Sequence, residues 1–345
     1  MIDKKLSRRD FVRISAIGAG VLALGGIGVK ELLASGGVRE FSETRELLGT
    51  FITIKVVDAE PARAQNAIKE GFGEVERLSA ILSRFDPNSD LAVLNRDGFI
   101  DNASPELLGV VQKAKYISDI TAGAFDVSVL PLLNLYVDSF ADGGSPPSEK
   151  DIAAAREYVN YQGIEVKDKR ISLAVPGMCI TLDGIAKGFV VDQATAMLRS
   201  HGFTRVLVAG SGDMSLRGDR DDGQPWKIGV THPRAMAGYY EVFQTTNDSI
   251  ATSGDYENTF TSDFTWNHII DPRVGHSPRE LASATVVASD TAYADALATS
   301  SMVLGVTDAI SLLERLPGVE ALLIDKNMNK HTTSGFEASV QVIPE

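Results

Sequence analysis

The sequence has little cysteine and fewer basic than acidic residues. Its 345 residues include a single cysteine, Cys179, which excludes an intramolecular disulfide and a zinc site built from paired cysteines. Because 33 Lys and Arg stand against 46 Asp and Glu, the formal net charge is −13, which argues against a general affinity for nucleic-acid phosphates. A hydrophobic share of 44% with 31 Gly and 13 Pro is typical of a globular protein with a packed core.

Residues 1–36 have the pattern of a targeting segment. A basic head precedes an apolar, glycine-rich run, residues 14–29, which is short for a membrane span. Residues 7–13 resemble the twin-arginine export signal, which a receptor reads as an address. The alternative is a basic flank on an ordinary signal or anchor. We predict export by the twin-arginine machinery to the periplasm or another extracytoplasmic space, with membrane anchoring if the segment stays uncleaved. No cysteine stands directly after the apolar run, where residues 34–36 are Ala-Ser-Gly, so a lipoprotein is not expected.

Residues 40–340 are predicted to form a single α+β domain. Alternating β-branched residues at 49–57 indicate a strand, and a helical apolar period over residues 61–82 indicates a helix. Strands and helices then follow in clusters rather than as regular strand–helix–strand units, which favours antiparallel sheets with packed helices. Residues 210–212 are glycine-rich, but they lack the third glycine and the helix of a dinucleotide-binding loop, so no such site is expected.

The segment around Lys187 is a candidate anion site. A strand leads through Asp183-Gly184 into a helix whose first turn carries Lys187. Free backbone N–H groups and the positive end of the helix dipole suit a phosphate, and the lysine adds a full charge. The alternative is an i,i+4 ion pair between Lys187 and Asp183, with the glycine serving only the turn.

Asp295 and Thr299 are candidate metal ligands. On a helix, their i,i+4 spacing places a carboxylate and a hydroxyl on one face, and such hard oxygens suit Mg²⁺. The alternative is an aspartate that interacts with the helix dipole and a threonine that bonds to its own backbone.

His268 stands at the start of a β-branched run that ends in Asp271-Pro272. A histidine in this place can act as a base or hold an anion. The alternative is a histidine whose hydrogen bonds are satisfied in a polar core.

Taken together and in this order, the segments of the chain resemble the ApbE family, the FAD:protein FMN transferases. The resemblance extends from about residue 47 to residue 304. It rests on eight short motifs: residues 48–50, residues 82–91 with Leu94-Asn95, residues 123–129, residues 183–189 with Asp192, residues 209–213, residues 252–257, residues 268–275 and residues 294–299.

The resemblance implies an ApbE-like fold with a flavin site in the cleft between sub-lobes. It implies an enzyme that binds FAD and Mg²⁺, breaks the pyrophosphate, attaches FMN through a phosphoester to a Thr or Ser of an electron-transfer protein, and releases AMP. Two alternatives of the same fold are a pyrophosphatase that splits FAD into FMN and AMP, and a non-catalytic FAD-binding protein.

The implied partner carries the acceptor motif Asp-x-x-(small)-Gly-Ala-Thr/Ser. The chain has a near match of its own at residues 119–125, but this match ends in Phe125, which has no hydroxyl. Flavin attachment to this segment of the chain itself is therefore not expected.

The resemblance also implies roles for single residues. His268 and Asp295 would be catalytic, with His268 assisting attack by the acceptor hydroxyl, and Lys187 would lie near the pyrophosphate. The implied Mg²⁺ site comprises the main-chain carbonyl of Gly184 together with Asp295, Ala298 and Thr299. The implied contacts to the flavin and adenine parts of FAD are Leu48, Phe85, Ala124, Phe125, Asp126, Thr181 and Ile270.

The chain departs from the family pattern at two motifs. Leu48 stands where the family often has methionine, and Thr181-Leu182-Asp183-Gly184 stands where it often has Asp-Leu-Gly-Gly. Asp183 therefore either replaces a missing cofactor contact or points away from the cofactor.

Overall fold

The structure, a computed structural model, describes the backbone of residues 22–23 and residues 37–235 and 237–342. The predicted targeting signature at residues 7–13 lies outside the described residues. The strands are β1 (Leu22–Ala23), β2 (Arg39–Leu47), β3 (Thr50–Asp58), β4 (Phe99–Ile100), β5 (Ile164–Lys167), β6 (Arg170–Leu173), β7 (Val206–Gly210), β8 (Asp213–Arg217), β9 (Trp226–Thr231), β10 (Tyr239–Thr245), β11 (Ser249–Gly254), β12 (Leu281–Ala288), β13 (Glu320–Asp325), β14 (Lys330–Thr332) and β15 (Gln341–Val342). The helices are α1 (Pro61–Leu82), α2 (Asp90–Asp97), α3 (Pro105–Ile120), α4 (Leu130–Phe140), α5 (Glu149–Arg156), α6 (Ala186–Ser200), α7 (Thr291–Leu313) and α8 (Phe336–Ser339).

An eight-stranded sheet forms the centre of the fold, in the order β14-β13-β12-β11-β8-β7-β3-β2. Each pair of neighbours in it is antiparallel. Two smaller sheets have the orders β4-β6-β5 and β1-β9-β10-β15. The predicted α+β class with antiparallel sheets is confirmed. The segment at residues 210–212 is the turn of the β7–β8 hairpin, as expected for a sequence that is not a dinucleotide-binding loop.

Side chains of the central sheet alternate between two hydrophobic cores. On β7, Val206 and Val208 belong to the core shared with α1 and α6. The neighbouring Leu207 and Ala209 belong to the core shared with β9, β10 and α8. This period of two follows from the pleat of a strand, and it leaves the sheet covered on both faces.

Helices α6 and α7 approach each other closely at their N-terminal ends. Gly188 allows this contact, because a Cβ at that position would lie 2.8 Å from the Cα of Ala292. The carboxylate of Asp192 on α6 accepts the first backbone N–H groups of α7, from Thr291 and Ala292, each at 2.9 Å. The contact places Lys187, one residue before the glycine, beside the first turns of α7.

Helix α7 is kinked at Gly305, where φ is 77°. The sequence predicts two helices at 292–304 and 307–316, and the structure joins them through this glycine. Among the described residues, α7 is the one helix long and apolar enough to cross a membrane, but most of its apolar window is buried inside the protein, as in a core helix.

The β2–β3 hairpin turns on Leu48 and Gly49, both in left-handed conformation with φ of 56° and 69°. A tight two-residue hairpin needs such angles. They disfavour any residue with a Cβ, which comes too close to the following carbonyl oxygen, so Leu48 is held there under local strain. The turn points Leu48 at the site described next.

Candidate active site

A cavity of about 690 Å³ lies between the β2–β3 turn, the end of α1, the segment 124–129 and the facing sides of α6 and α7. It brings together residues as far apart in the sequence as Leu47 and Val303. All the predicted site residues except Ala298 line it: Leu48, Phe85, Ala124, Phe125, Asp126, Thr181, Asp183, Gly184, Lys187, His268, Ile270, Asp295 and Thr299.

The predicted metal ligands meet on one wall of this cavity. Thr299 Oγ1 lies 3.1 Å from Ser253 Oγ on β11, so this hydroxyl pairs with a neighbouring strand rather than with its own helix. The backbone of Gly184 lies against Thr299, since a Cβ on this glycine would be 3.2 Å from Oγ1. Ala298 is fully buried in the core and does not reach the wall. Because an alanine side chain carries no ligand atom, Ala298 could join the predicted metal site only through its main-chain carbonyl.

Three buried carboxylates surround the single ammonium group of Lys187. Lys187 Nζ donates to Asp213 Oδ2 at 2.6 Å and lies 3.8 Å from Asp295 Oδ1. Glu257 lines the cavity beside them, and its charge adds to those acting on Lys187. Burial alone would lower the pKa of Lys187, but the three carboxylates outweigh burial and raise it. The lysine is therefore charged.

Three carboxylates share one ammonium group, and this excess of negative charge favours their protonated forms. Burial, followed by the charge of Asp213, raises the pKa of Asp295 to about 8. Burial raises the pKa of Glu257 to about 7 and also raises that of Asp213. In the described part of the chain, Asp213 Oδ1 and Glu257 Oε1 are buried without a hydrogen-bond partner.

This donor set fits a hard divalent cation. Buried acceptors without donors and an excess of carboxylates are the conditions that a cation relieves. Within the described ranges, no three His, Cys, Asp or Glu side chains are arranged to hold a metal. The candidate set instead combines one carboxylate, Asp295, with the hydroxyl of Thr299 and the carbonyl of Gly184. Mixed oxygen donors of this kind suit Mg²⁺, which keeps several positions for water and substrate phosphates.

His268 faces the cavity from the segment after β11. Its backbone N–H donates to the carbonyl of Asn258 at 2.9 Å, whereas its side-chain Nδ1 is buried with no partner among the described residues. Burial, followed by the charge of Lys187, lowers the pKa of His268 to about 4. The imidazole is therefore neutral at physiological pH. The alternative of a histidine whose hydrogen bonds are satisfied in a polar core is wrong, because Nδ1 has no partner in the described part of the chain.

Asp126 reaches the cavity but its carboxylate serves the protein backbone. Its Oδ1 accepts from the backbone N–H and hydroxyl of Ser128, at 2.8 and 2.6 Å, and its Oδ2 accepts from the N–H of Tyr161 at 3.0 Å. The apolar wall beside it is formed by Leu48, Phe125 and Ile270. Asp126 thus shapes the segment that carries Phe125.

Asp183 points away from Lys187. Its Oδ2 accepts from Arg84 Nε at 3.0 Å, and the side chain is 50% exposed. The predicted alternative of a Lys187–Asp183 ion pair is wrong, because the ammonium pairs with Asp213 and Asp295 instead. Thr181 Oγ1 accepts the backbone N–H of Asp183 at 3.2 Å, so Thr181 stabilises the turn that presents the aspartate.

A family model described as "ApbE family" matches residues 48–323. The chain belongs to the ApbE family. The predicted family and fold class are confirmed.

Relatives and solved structures agree with this assignment to the ApbE family. A Vibrio cholerae protein named FAD:protein FMN transferase is 28% identical over 301 residues, covering 84% of this chain and 90% of the relative. The structure titled Pseudomonas stutzeri flavinyl transferase ApbE, apo form, is 28% identical with a TM-score of 0.79, covering 89% of this chain and 98% of that one. The structure titled Flavin Transferase ApbE from Vibrio cholerae is 26% identical with a TM-score of 0.76, covering 87% of this chain and 99% of that one. These names agree with the predicted enzyme class, a transferase.

Four polar residues of the site in this ApbE-family chain received no role from the sequence. Three of them, Ser253, Glu257 and Asp213, lie within the quoted motifs at 252–257 and 209–213, so their position could be predicted. Their contact with Thr299 or Lys187 depends on the pairing of distant strands, which no local pattern shows. The fourth, Arg84, lies within the quoted motif at 82–91, but its contact with Asp183 joins residues 99 positions apart in the sequence, which no local pattern shows either.

Proposed function

We propose that this protein is an Mg²⁺-dependent FAD:protein FMN transferase. It cleaves the pyrophosphate of FAD, joins FMN through a phosphoester to a threonine or serine hydroxyl of an electron-transfer protein, and releases AMP. The observation that carries the proposal is the convergence of Asp295, Thr299, Lys187 and His268 on one cavity. The transferase names of the relatives support it.

The residues of the chain divide the reaction between them. Asp295, Thr299 and the Gly184 carbonyl would hold Mg²⁺, which when bound supplies Lewis acidity and neutralises pyrophosphate charge. Lys187, fixed by Asp213, binds a phosphate oxygen as a charged donor. Such transfers depend on positioning and charge neutralisation more than on covalent chemistry of the protein.

His268 handles the proton of the acceptor hydroxyl. In the reaction the hydroxyl oxygen forms a bond to the FMN phosphorus, the pyrophosphate P–O bond breaks, and AMP leaves with the electron pair. The neutral imidazole of His268 has a lone pair free to accept the hydroxyl proton. Loss of such a base slows catalysis by about 10²- to 10⁴-fold.

The test uses the full chain, FAD, Mg²⁺ and an acceptor domain that carries the Asp-x-x-(small)-Gly-Ala-Thr motif. A matched acceptor with valine in place of the threonine is the control. Mass spectrometry should show FMN on the threonine acceptor alone, with one AMP released for each FMN attached. Free FMN and AMP without any acceptor would indicate the pyrophosphatase, and intact bound FAD after long incubation would indicate a binding protein.

We also propose that residues 1–36 direct the protein to an extracytoplasmic space by the twin-arginine route, where it acts on its acceptor. The support is the Arg8-Arg9 pair followed by an apolar run. Replacement of both arginines by lysine should keep the protein in the cytoplasm in cell fractionation. Unchanged export of that variant would contradict this route.

A further inference from the structure

Arg84, Phe85 and Asp183 form a layered contact where the cavity opens to solvent. The guanidinium of Arg84 lies 4.1 Å from the centroid of the Phe85 ring and donates through Nε to Asp183. All three side chains line the cavity, and the Phe85 side chain is 60% exposed. An aromatic side chain so exposed at a cavity mouth has a face open to a flat ligand.

Two ordered turns hold this contact in place. Ser83 Oγ accepts the backbone N–H groups of Phe85 and Asp86, at 3.2 and 3.3 Å. On the other side, Thr181 fixes the backbone of Asp183. The ion pair between Arg84 and Asp183 therefore joins two segments that are 99 residues apart in the sequence.

We propose that Arg84 and Asp183 are a positioning pair that holds the Phe85 ring as a stacking surface for an aromatic ring of FAD. The inference rests on the proposed function, since it takes FAD as the substrate. It accounts for the departure at Asp183 from the family pattern, because the shifted carboxylate has Arg84 as its partner rather than Lys187 or the metal ligands. A guanidinium on one face of Phe85 leaves the other face for the ligand, an arrangement that aromatic and cation–π contacts both favour.

A positioning role at the mouth has a specific kinetic signature. Ring stacking is remote from the pyrophosphate, so it stabilises bound FAD in the ground state and in the transition state equally. Asp183→Asn and Arg84→Gln should therefore raise the Kd and KM for FAD by about three- to tenfold, as loss of one stacking contact does. The kcat should stay within about twofold of the unmodified protein.

The chain offers a matched control outside the cavity. Arg170 lies 4.4 Å from the centroid of the Phe99 ring and pairs with Asp101, and none of these residues lines the cavity. Arg170→Gln and Asp101→Asn should leave the Kd and KM for FAD unchanged.

A double mutant tests whether the pair acts through Phe85. In a Phe85→Leu background, Arg84→Gln should add little further loss of FAD affinity, because the stacking surface is already gone. Additive losses in the double mutant would overturn the proposal.

The assay separates this inference from the proposed function. The Kd is measured by titrating FAD into the full chain with Mg²⁺ and no acceptor, so it does not depend on transfer. FAD binding without FMN transfer would refute the proposed function and leave the Kd comparison valid. An unchanged Kd in Asp183→Asn and Arg84→Gln would refute the positioning pair, as would a fall in kcat with an unchanged KM.

Discussion

The charge of Asp295 sets how the site responds to pH and to cations. Its pKa of about 8 lies far above the ordinary 3.8. Between these values the native state holds a proton that the unfolded state has lost. Without a cation, the free energy of unfolding therefore falls as pH rises from about 4 to 8. We expect Asp295→Asn to flatten this dependence and to stabilise the metal-free protein at pH 8 by about 1 kcal/mol or more, as measured by calorimetry in EDTA.

Asp126 supplies the contrasting control for that prediction. It is also buried at the cavity, but donors of the chain occupy both of its oxygens. Asp126→Asn should therefore destabilise the protein by about 1–3 kcal/mol. On the proposed function, Mg²⁺ with FAD raises the unfolding temperature, and the Asp295→Asn variant should lose this rise. Full retention of that rise, or of activity, would show that Asp295 is not a ligand.

His268 should titrate far below an ordinary histidine. Its pKa is lowered to about 4 by burial and by Lys187, so the ring stays neutral from pH 8 down to about pH 5. As pH falls from 6.5 towards 4, the histidine is protonated in the unfolded state but not in the native state. The free energy of unfolding therefore decreases over this range. NMR titration of the imidazole Cε1–H signals, assigned with His268→Asn, measures this pKa. A midpoint near 6.5 would contradict the buried environment described above.

The contact between α6 and α7 joins the two parts of the site that we propose bind phosphate and metal. Gly188→Ala would place a methyl group against the first turn of α7. We expect it to destabilise the protein by about 1–3 kcal/mol, because overpacking forces the backbones apart. It should also weaken the stabilisation by Mg²⁺, since Lys187 and Asp295 lie on either side of the contact. Both effects are read from thermal unfolding with and without the cation.

Gly73 in α1 is the matched control for this helix glycine. A Cβ there would have no atom within 4 Å. Gly73→Ala should stabilise the protein by about 0.5–1 kcal/mol, the usual gain from alanine in a helix. If Gly188→Ala changed the free energy of unfolding no more than Gly73→Ala does, the two helices would tolerate a wider spacing.

Local patterns in the sequence predict many of the elements but not how distant ones pair. Alternation and turn residues predict a hairpin that turns at Asp168-Lys169 and strands at 206–208 and 214–216. These elements are confirmed, because such signals are local. Strand β2 and helix α4 were not predicted. Pairing of β3 with β7, from Ile52↔Gly210 to Val56↔Val206, has no local signal. For the same reason Asp213 could be placed on a motif but not beside Lys187.

The net charge of the whole chain acts against the binding of the proposed substrate, FAD. With a formal charge of −13, the protein repels the anionic pyrophosphate of FAD at long range. On the proposed function, affinity then comes from Lys187 and Mg²⁺ at close range. We expect the association rate constant of FAD, measured by stopped-flow fluorescence at saturating Mg²⁺, to rise about twofold between about 20 and 200 mM salt. A fall in this rate constant with salt would mean that a local positive field steers the ligand.

The order of strands in the central sheet also determines when the cavity can exist during synthesis. Strand β3 emerges early but pairs with β7, and the last wall of the cavity is α7, which ends at Leu313. Such long-range pairings form slowly, because the chain loses the entropy of loop closure before the contacts between the strands can stabilise it. A nascent chain that ends before residue 295 has the hairpin of Leu48 and the lysine, but neither Asp295 nor Thr299. On the proposed function, flavin binding therefore reports that the chain is nearly complete, and we expect a ribosome-bound chain to acquire FAD at this site only after its C-terminal third has been made.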